Sequence, residues 1–226
     1  MEMMLNSQKP EVVEKYLDLY PIDGVTTNPQ MIGEEKGKKY FEILKSLRSV
    51  IGGRKLFTQV VSNVYEEMLE EAELIRKIGG ANTYVKVPAN ANGVKVIKTL
   101  TERGYDTLGT VVFTSTQGIM ALKAGAKYVA PFFGPMLDVG IDADTVVSEM
   151  AQYIKKSGCQ GKIMAAACRD AEQAGRAIAA GVDCLTFSPK DLDAAMTNET
   201  SDIILNMFIE NWEAGQGKGV KIIDFK

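Results

Sequence analysis

The sequence predicts an α/β protein: a single (β/α)8, or TIM, barrel over about residues 1–197, followed by an additional C-terminal helix and tail over about 198–226. Three observations carry that prediction. Eight short apolar segments alternate with stretches of helical spacing, the order that builds a parallel sheet. The apolar segments run nearly without polar interruption, as strands covered on both faces do. No glycine-rich phosphate loop follows any of them, which disfavours an open dinucleotide-binding sheet. Nor does a linker or low-complexity tract mark a second domain.

Residues 3–7 open the chain as a strand. Pro10 suits a helix's first turn, and Val12, Val13, Tyr16, Leu17 and Tyr20 recur at helical spacing. Residues 21–27 give a turn and a second strand, closed by Asn28-Pro29. Tyr40, Ile43, Leu44, Leu47 and Ile51 share a face of the next helix, which Gly52-Gly53 stop. The third strand, 55–61, carries Gln59. Asn63 and Glu66 read as a cap pair ahead of the stripe Met68, Ala72, Ile75. Residues 83–89 are the fourth strand, and Val94, Ile97 and Leu100 mark a helix after it. Residues 107–113, 128–133, 162–168 and 183–187 complete the strands. Helices over 116–124 and 142–154 separate them, and a last one begins at the cap pair Asp170 and Gln173.

The tail is a helix over 198–214 with Ile203, Ile204, Met207, Phe208 and Trp212 on one stripe, broken by the glycines that follow. Such a stripe must be covered, by its own barrel or by a neighbour. Taken alone it favours the chain's own barrel, because most helical stripes are core.

Composition excludes several function classes. A net charge of −3 with interspersed signs argues against a nucleic-acid surface or a basic membrane patch. No apolar run reaches the ~20 residues that span a bilayer, and the first residues lack a signal peptide's apolar core, so the sequence predicts a cytoplasmic protein. Cys159, Cys168 and Cys184 have no metal-ligand spacing and read as reduced thiols. The histidine count is zero, which removes imidazole bases, His-assisted nucleophiles and His-ligated zinc. No cofactor and no metal are expected, and any catalysis must use lysine, carboxylates, hydroxyls, amides or water.

Against that background Lys86 stands out, a lysine inside the apolar run Thr83-Tyr84-Val85-Lys86-Val87-Pro88-Ala89. It reads either as an edge-strand charge that discourages aggregation or as a desolvated amine poised to form a Schiff base with a carbonyl. Barrel sites lie at the C-terminal strand ends. Here those ends carry Asn6, Thr26 to Asn28, Gln59, Lys86, Thr110, Phe132, Cys168-Arg169 and Ser188. Asn6, Thr26 to Asn28 and Ser188 are equally ordinary as turn or cap residues, Thr110 as a β-branched strand former and Phe132 as core, whereas Gln59 inside an apolar strand needs hydrogen-bond partners and favours a network role. Convergence around a buried lysine would suit imine chemistry, with neighbours positioning water and the carbinolamine hydroxyl.

Four motifs add a resemblance. Gly24-Val25-Thr26-Thr27-Asn28-Pro29, Tyr84-Val85-Lys86-Val87-Pro88, Thr107-Leu108-Gly109-Thr110 and Gly125-Ala126-Lys127-Tyr128-Val129-Ala130-Pro131-Phe132 resemble those of the small transaldolases and fructose-6-phosphate aldolases. The likeness runs from residue 1 to the C-terminal helix. It implies a class I aldolase or transaldolase whose Lys86 forms a Schiff base with the dihydroxyacetone unit of a sugar or sugar phosphate. Thr26 and Asn28 match donor-binding positions, Thr110 the threonine that helps hold the catalytic water, and Gln59 the aldolase branch. It also implies a homo-oligomer, pentamer or decamer, with the C-terminal helix on a neighbour. The chain departs from the pattern at four places. The family's first-strand aspartate is Asn6, its aldolase tyrosine is Phe132, its phosphate-binding arginine falls at Pro135 and its phosphate-binding serine at Ala167. Arg169 is left as the basic group near that end, and the alternatives are a non-phosphorylated substrate or a weakened sugar-binding or assembly barrel.

Overall fold

In a computed structural model describing residues 1–37 and 39–226, parallel strands close on themselves in sequence order: β1 (Glu2–Asn6), β2 (Gly24–Thr26), β3 (Lys55–Gln59), β4 (Thr83–Pro88), β5 (Thr107–Val112), β6 (Tyr128–Pro131), β7 (Lys162–Ala166) and β8 (Cys184–Phe187). β1 pairs with both β2 and β8, so no sheet edge is left open. Between the strands run α1 (Pro10–Leu19), α2 (Pro29–Glu34), α3 (Tyr40–Ile51), α4 (Tyr65–Gly79), α5 (Ala91–Glu102), α6 (Ser115–Lys123), α7 (Phe133–Asp138), α8 (Ala143–Ser157), α9 (Ala171–Ala180), α10 (Pro189–Met196) and α11 (Glu199–Gln216). A 3-10 turn, Ile222–Phe225, ends the chain.

The barrel buries two cores, which explains the unbroken apolar runs. Leu5, Val25, Leu56, Val85 and Val87 face outward against the helices. Met4, Phe57, Leu108, Tyr128, Met164 and Cys184 fill the interior. Phe57 stacks on Tyr84 at 4.7 Å between ring centres, and Tyr128 meets both rings edge-on. This aromatic plug closes the middle of the barrel. Below it, Glu2 accepts hydrogen bonds from Lys55 (2.7 Å), Lys162 (2.5 Å) and the Tyr128 hydroxyl (2.8 Å). One carboxylate thereby ties β1 to β3, β6 and β7.

Several local expectations change. The sixth strand stops at Pro131, and Phe132 keeps a single bridge to Ala166 before α7 begins. Pro135 lies in α7's first turn, where a missing N–H costs nothing. Asn63 does not cap α4. Its side-chain oxygen accepts from Asn90, while Glu71 takes the backbone N–H groups of Val61 and Ser62. At α9, Asp170 caps Gln173 N–H as expected, but the Gln173 side chain accepts from Arg169 N–H instead of returning to the cap.

The largest correction concerns the tail. α11 does not dock on its own barrel: none of its residues is buried, and Ile203 and Phe208 are 60% and 61% exposed. Its contacts are with the segment after it, through Trp212 Nε1 to the Val220 carbonyl (2.8 Å) and an edge-on contact with Phe225. A helix this apolar outside the core leaves its stripe open in the single chain.

Candidate active site

Lys86 occupies the fourth position of β4, on the interior face two residues beyond Tyr84. Its side chain is buried, and Nζ donates to the Thr27 carbonyl oxygen at 2.7 Å. No carboxylate among the described residues pairs with it. Burial alone pulls the Lys86 amine down to about 8, so roughly a tenth is neutral and nucleophilic at pH 7. Packing directly behind β4 keeps this strand in place, since a Cβ at Gly93 of α5 would overlap the Pro88 carbonyl oxygen.

The amine faces a cavity of about 90 Å3 at the C-terminal mouth, room for a small polar molecule when a water takes about 30 Å3 of liquid. Asn6, Thr26, Asn28, Thr110, Phe132 and Thr186 share its wall with Lys86. Lys86 is the one charged residue among the described residues lining it. The hydroxyls are ordered. Thr26 Oγ1 donates to Asn6 Oδ1 (3.0 Å), so Thr186, 2.9 Å from the same oxygen, must supply its own proton to Thr26. With its oxygen taken, Asn6 has its amide donors left for other partners. Asn28 caps α2, accepting from Met31 N–H (2.9 Å). Thr110 Oγ1 is buried with no partner among the described residues, an orphan hydroxyl on the cavity wall.

The mouth is also where the backbone is strained. Val111 and Ala167 both sit at φ 58°, a left-handed conformation that a β-branched residue rarely takes. Val111 is the penultimate residue of β5 and Ala167 the first residue after β7, and the β5–β6 register shifts between Gly109 and Val112. Strain of this kind persists where the surroundings over-determine it. Here it sets the turn that follows Thr110.

The structure thus brings together Asn6, Thr26, Asn28, Lys86, Thr110 and Phe132. It places two expected residues elsewhere. Gln59 is the rung partner of Lys86 on β3, but it borders a separate groove beside Tyr40, Phe41 and Glu71. Arg169 is exposed and held by both carboxylate oxygens of Asp138, off the cavity wall. Ser188 caps α10, and Cys168 is wholly buried, its thiol pushed up to about 12. Two participants escape the sequence reading. Thr186 follows Cys184 by two residues, so strand alternation could have found it. The Thr27 carbonyl that holds Lys86 has no side-chain signature. Among the described residues, no cluster of three His, Cys, Asp or Glu could hold a metal ion, and no helix is long and apolar enough to cross a membrane.

Comparison with known proteins shows the family of the chain. The sequence profile described as Transaldolase/Fructose-6-phosphate aldolase matches residues 4–216. A probable fructose-6-phosphate aldolase of Streptococcus pneumoniae is 31% identical over 213 residues, 94% of this chain and 96% of that one. A probable transaldolase of Thermoplasma volcanium is 32% identical over 225 residues, 99% and 100% of the two chains. A probable transaldolase of Methanococcus maripaludis is 32% identical over 214 residues, covering 95% and 98%.

Proposed function

This chain belongs to the transaldolase/fructose-6-phosphate aldolase family and is an enzyme of its aldol chemistry; from that premise we propose that Lys86 is the amine that forms the Schiff base. The single observation that carries this is a buried lysine, unpaired with any carboxylate among the described residues, at the wall of a cavity lined by uncharged polar and apolar side chains. The neutral amine attacks the ketone carbon of a dihydroxyacetone unit, and its proton passes to the carbonyl oxygen. The carbinolamine then loses water, leaving a C=N bond that, protonated, acts as the electron sink for cleaving or forming the adjacent carbon–carbon bond.

Each polar neighbour has a task in this scheme. Thr110, with its unpaired hydroxyl, holds the water that moves protons. The Asn6 amide and Thr26, locked together, bind the substrate's hydroxyls, with Asn28 beside them; Phe132 closes the acceptor side. Asn6 donates hydrogen bonds but takes up no proton, so turnover is slow. A non-phosphorylated acceptor fits better than a phosphorylated one, because Arg169 is engaged by Asp138. The open stripe of α11 fits a homo-oligomer in which a neighbour covers it, and three free thiols fit a cytoplasmic enzyme.

Incubation with dihydroxyacetone and borohydride, followed by mass mapping, tests the assignment. The expected product is a secondary amine on Lys86; an adduct on another lysine, or none, overturns it.

A further inference from the structure

The Thr27 carbonyl is the hydrogen-bond partner of the Lys86 amine, so whatever fixes the Thr27 peptide also fixes the nucleophile. Three contacts hold that residue. Its N–H donates to the Phe57 carbonyl (2.8 Å), and its side-chain hydroxyl donates to Thr58 Oγ1 (3.1 Å), with the Phe57 carbonyl at the outer limit of its reach (3.5 Å). Thr58 lies on the outward face of β3, fully buried, and its hydroxyl meets the Tyr40 hydroxyl of α3 at 2.7 Å. A chain of three hydroxyls therefore runs from a groove between α3 and α4, of about 260 Å3, through the barrel wall to the residue that holds Lys86. A hydrophobic core could seal this wall with Val at position 58. Three buried hydroxyls in sequence are costly unless each finds a partner, and here each does.

We propose that the Tyr40–Thr58–Thr27 hydroxyl chain holds the Thr27 carbonyl against the Lys86 amine, which makes Tyr40 and Thr58 positioning residues for imine formation. The inference rests on Lys86 as the Schiff-base residue. Cutting the chain lets the Thr27 peptide turn away. The ammonium then loses its acceptor, so its proton is held less tightly, and the neutral amine loses its aim. The two effects oppose each other near neutrality and separate at high pH. Among the described residues no other titratable group lines the cavity at the amine: β1, β2, β5 and β8 present Asn6, Thr26, Thr110 and Thr186, β6 and β7 present Ala130 and Met164, and β3 pairs Gln59 with Lys86. At the outer end, Tyr40 borders Glu71, and burial lifts its own phenol to about 12.

The test follows cyanoborohydride trapping of dihydroxyacetone from about pH 6 to about pH 10, with Lys86 adduct formation as the readout. In Thr58→Val the apparent pKa of trapping falls by roughly half to one unit, and the plateau rate at high pH drops about tenfold. Thr58→Ser keeps the hydroxyl and restores both. Tyr40→Phe, whose ring packing is preserved, moves both in the same direction by less. A purely structural role lowers Tm while leaving pKa and plateau in place, and that result overturns the proposal while the Lys86 assignment stands. Failure of the unaltered protein to trap at Lys86 overturns both.

Discussion

Lysines stand at both ends of this barrel, and the two ends treat them oppositely. At the base, Lys55 and Lys162 share the Glu2 carboxylate and cluster over the Tyr128 ring. At the mouth, on the strand next to that of Lys55, Lys86 has a backbone carbonyl and no counter-charge. Burial disfavours the Glu2 carboxylate, but hydrogen bonds from Lys162, Lys55 and Tyr128 outweigh it and pull the group down to about 2, so pairing holds it ionised. The same burial, uncompensated, pushes Lys86 toward its neutral form. Paired charge closes a barrel; an unpaired amine is a reagent.

The largest effect comes from removing the reagent. Lys86→Met abolishes imine chemistry and lowers activity by on the order of 10^4 or more, since no other amine among the described residues lines the cavity. Its stability effect runs the other way. A lysine brought from the ordinary 10.5 to about 8 opposes folding by about 3 kcal/mol at pH 7, because the unfolded chain binds the proton more tightly. Leaving the Thr27 carbonyl unpaired returns about 1–3 kcal/mol of that. Tm of Lys86→Met is therefore equal to or above that of the unaltered protein. A clear fall in Tm, read by calorimetry, would show that Lys86 supports the fold.

How far the sequence reached follows the same division. The barrel was legible because strands covered on both faces must be apolar throughout, and Lys86 stood out against that rule. The wall residues Asn6, Thr26 and Thr110 were legible because strand ends point at the mouth. What escaped depends on tertiary contacts with no local pattern. The acceptor of Lys86 is a main-chain atom, and its support comes from Tyr40 on a helix. Arg169 reads as available in the sequence, but Asp138, 31 residues away, holds it. The stripe of α11 was visible, but a stripe does not say which surface covers it.

The next effect brings to the mouth what the base already has, a second cation. Pro135 stands three residues past Phe132 and offers no donor, and Ala167 on the cavity wall offers no hydroxyl. Charge-assisted bonds contribute about 1.5–3 kcal/mol each, so Pro135→Arg with Ala167→Ser raises preference for glyceraldehyde 3-phosphate over glyceraldehyde by roughly a hundredfold. Arg169→Ala, by contrast, leaves the ratio within about twofold, because that guanidinium already belongs to Asp138. Ratios of kcat/KM for the two aldehydes decide it. A strong phosphate preference in the unaltered enzyme that survives Arg169→Ala contradicts the placement of the acceptor end.

The smallest effect is at the base, and it is one of stability alone. Glu2→Gln removes the charge that Lys55 and Lys162 share, in a network partly open to water. A loss of about 1 kcal/mol, or roughly 2–4 °C in Tm for a chain of this size, follows at neutral pH. Its pH dependence identifies the cause. Glu2 is lowered in the folded protein from 4.5 to about 2, so its contribution is fully present above about pH 4.5 and is lost as pH falls toward 2. The Tm gap between the two proteins is thus constant from neutrality down to about pH 5 and narrows below it. Lys86 trapping at the mouth keeps its rate and its pH dependence, since the aromatic plug of Phe57, Tyr84 and Tyr128 separates the two ends. A Tm gap that persists unchanged at pH 3 would mean that Gln disturbs packing at the base and that the carboxylate's charge is not what holds β1, β3 and β7 together.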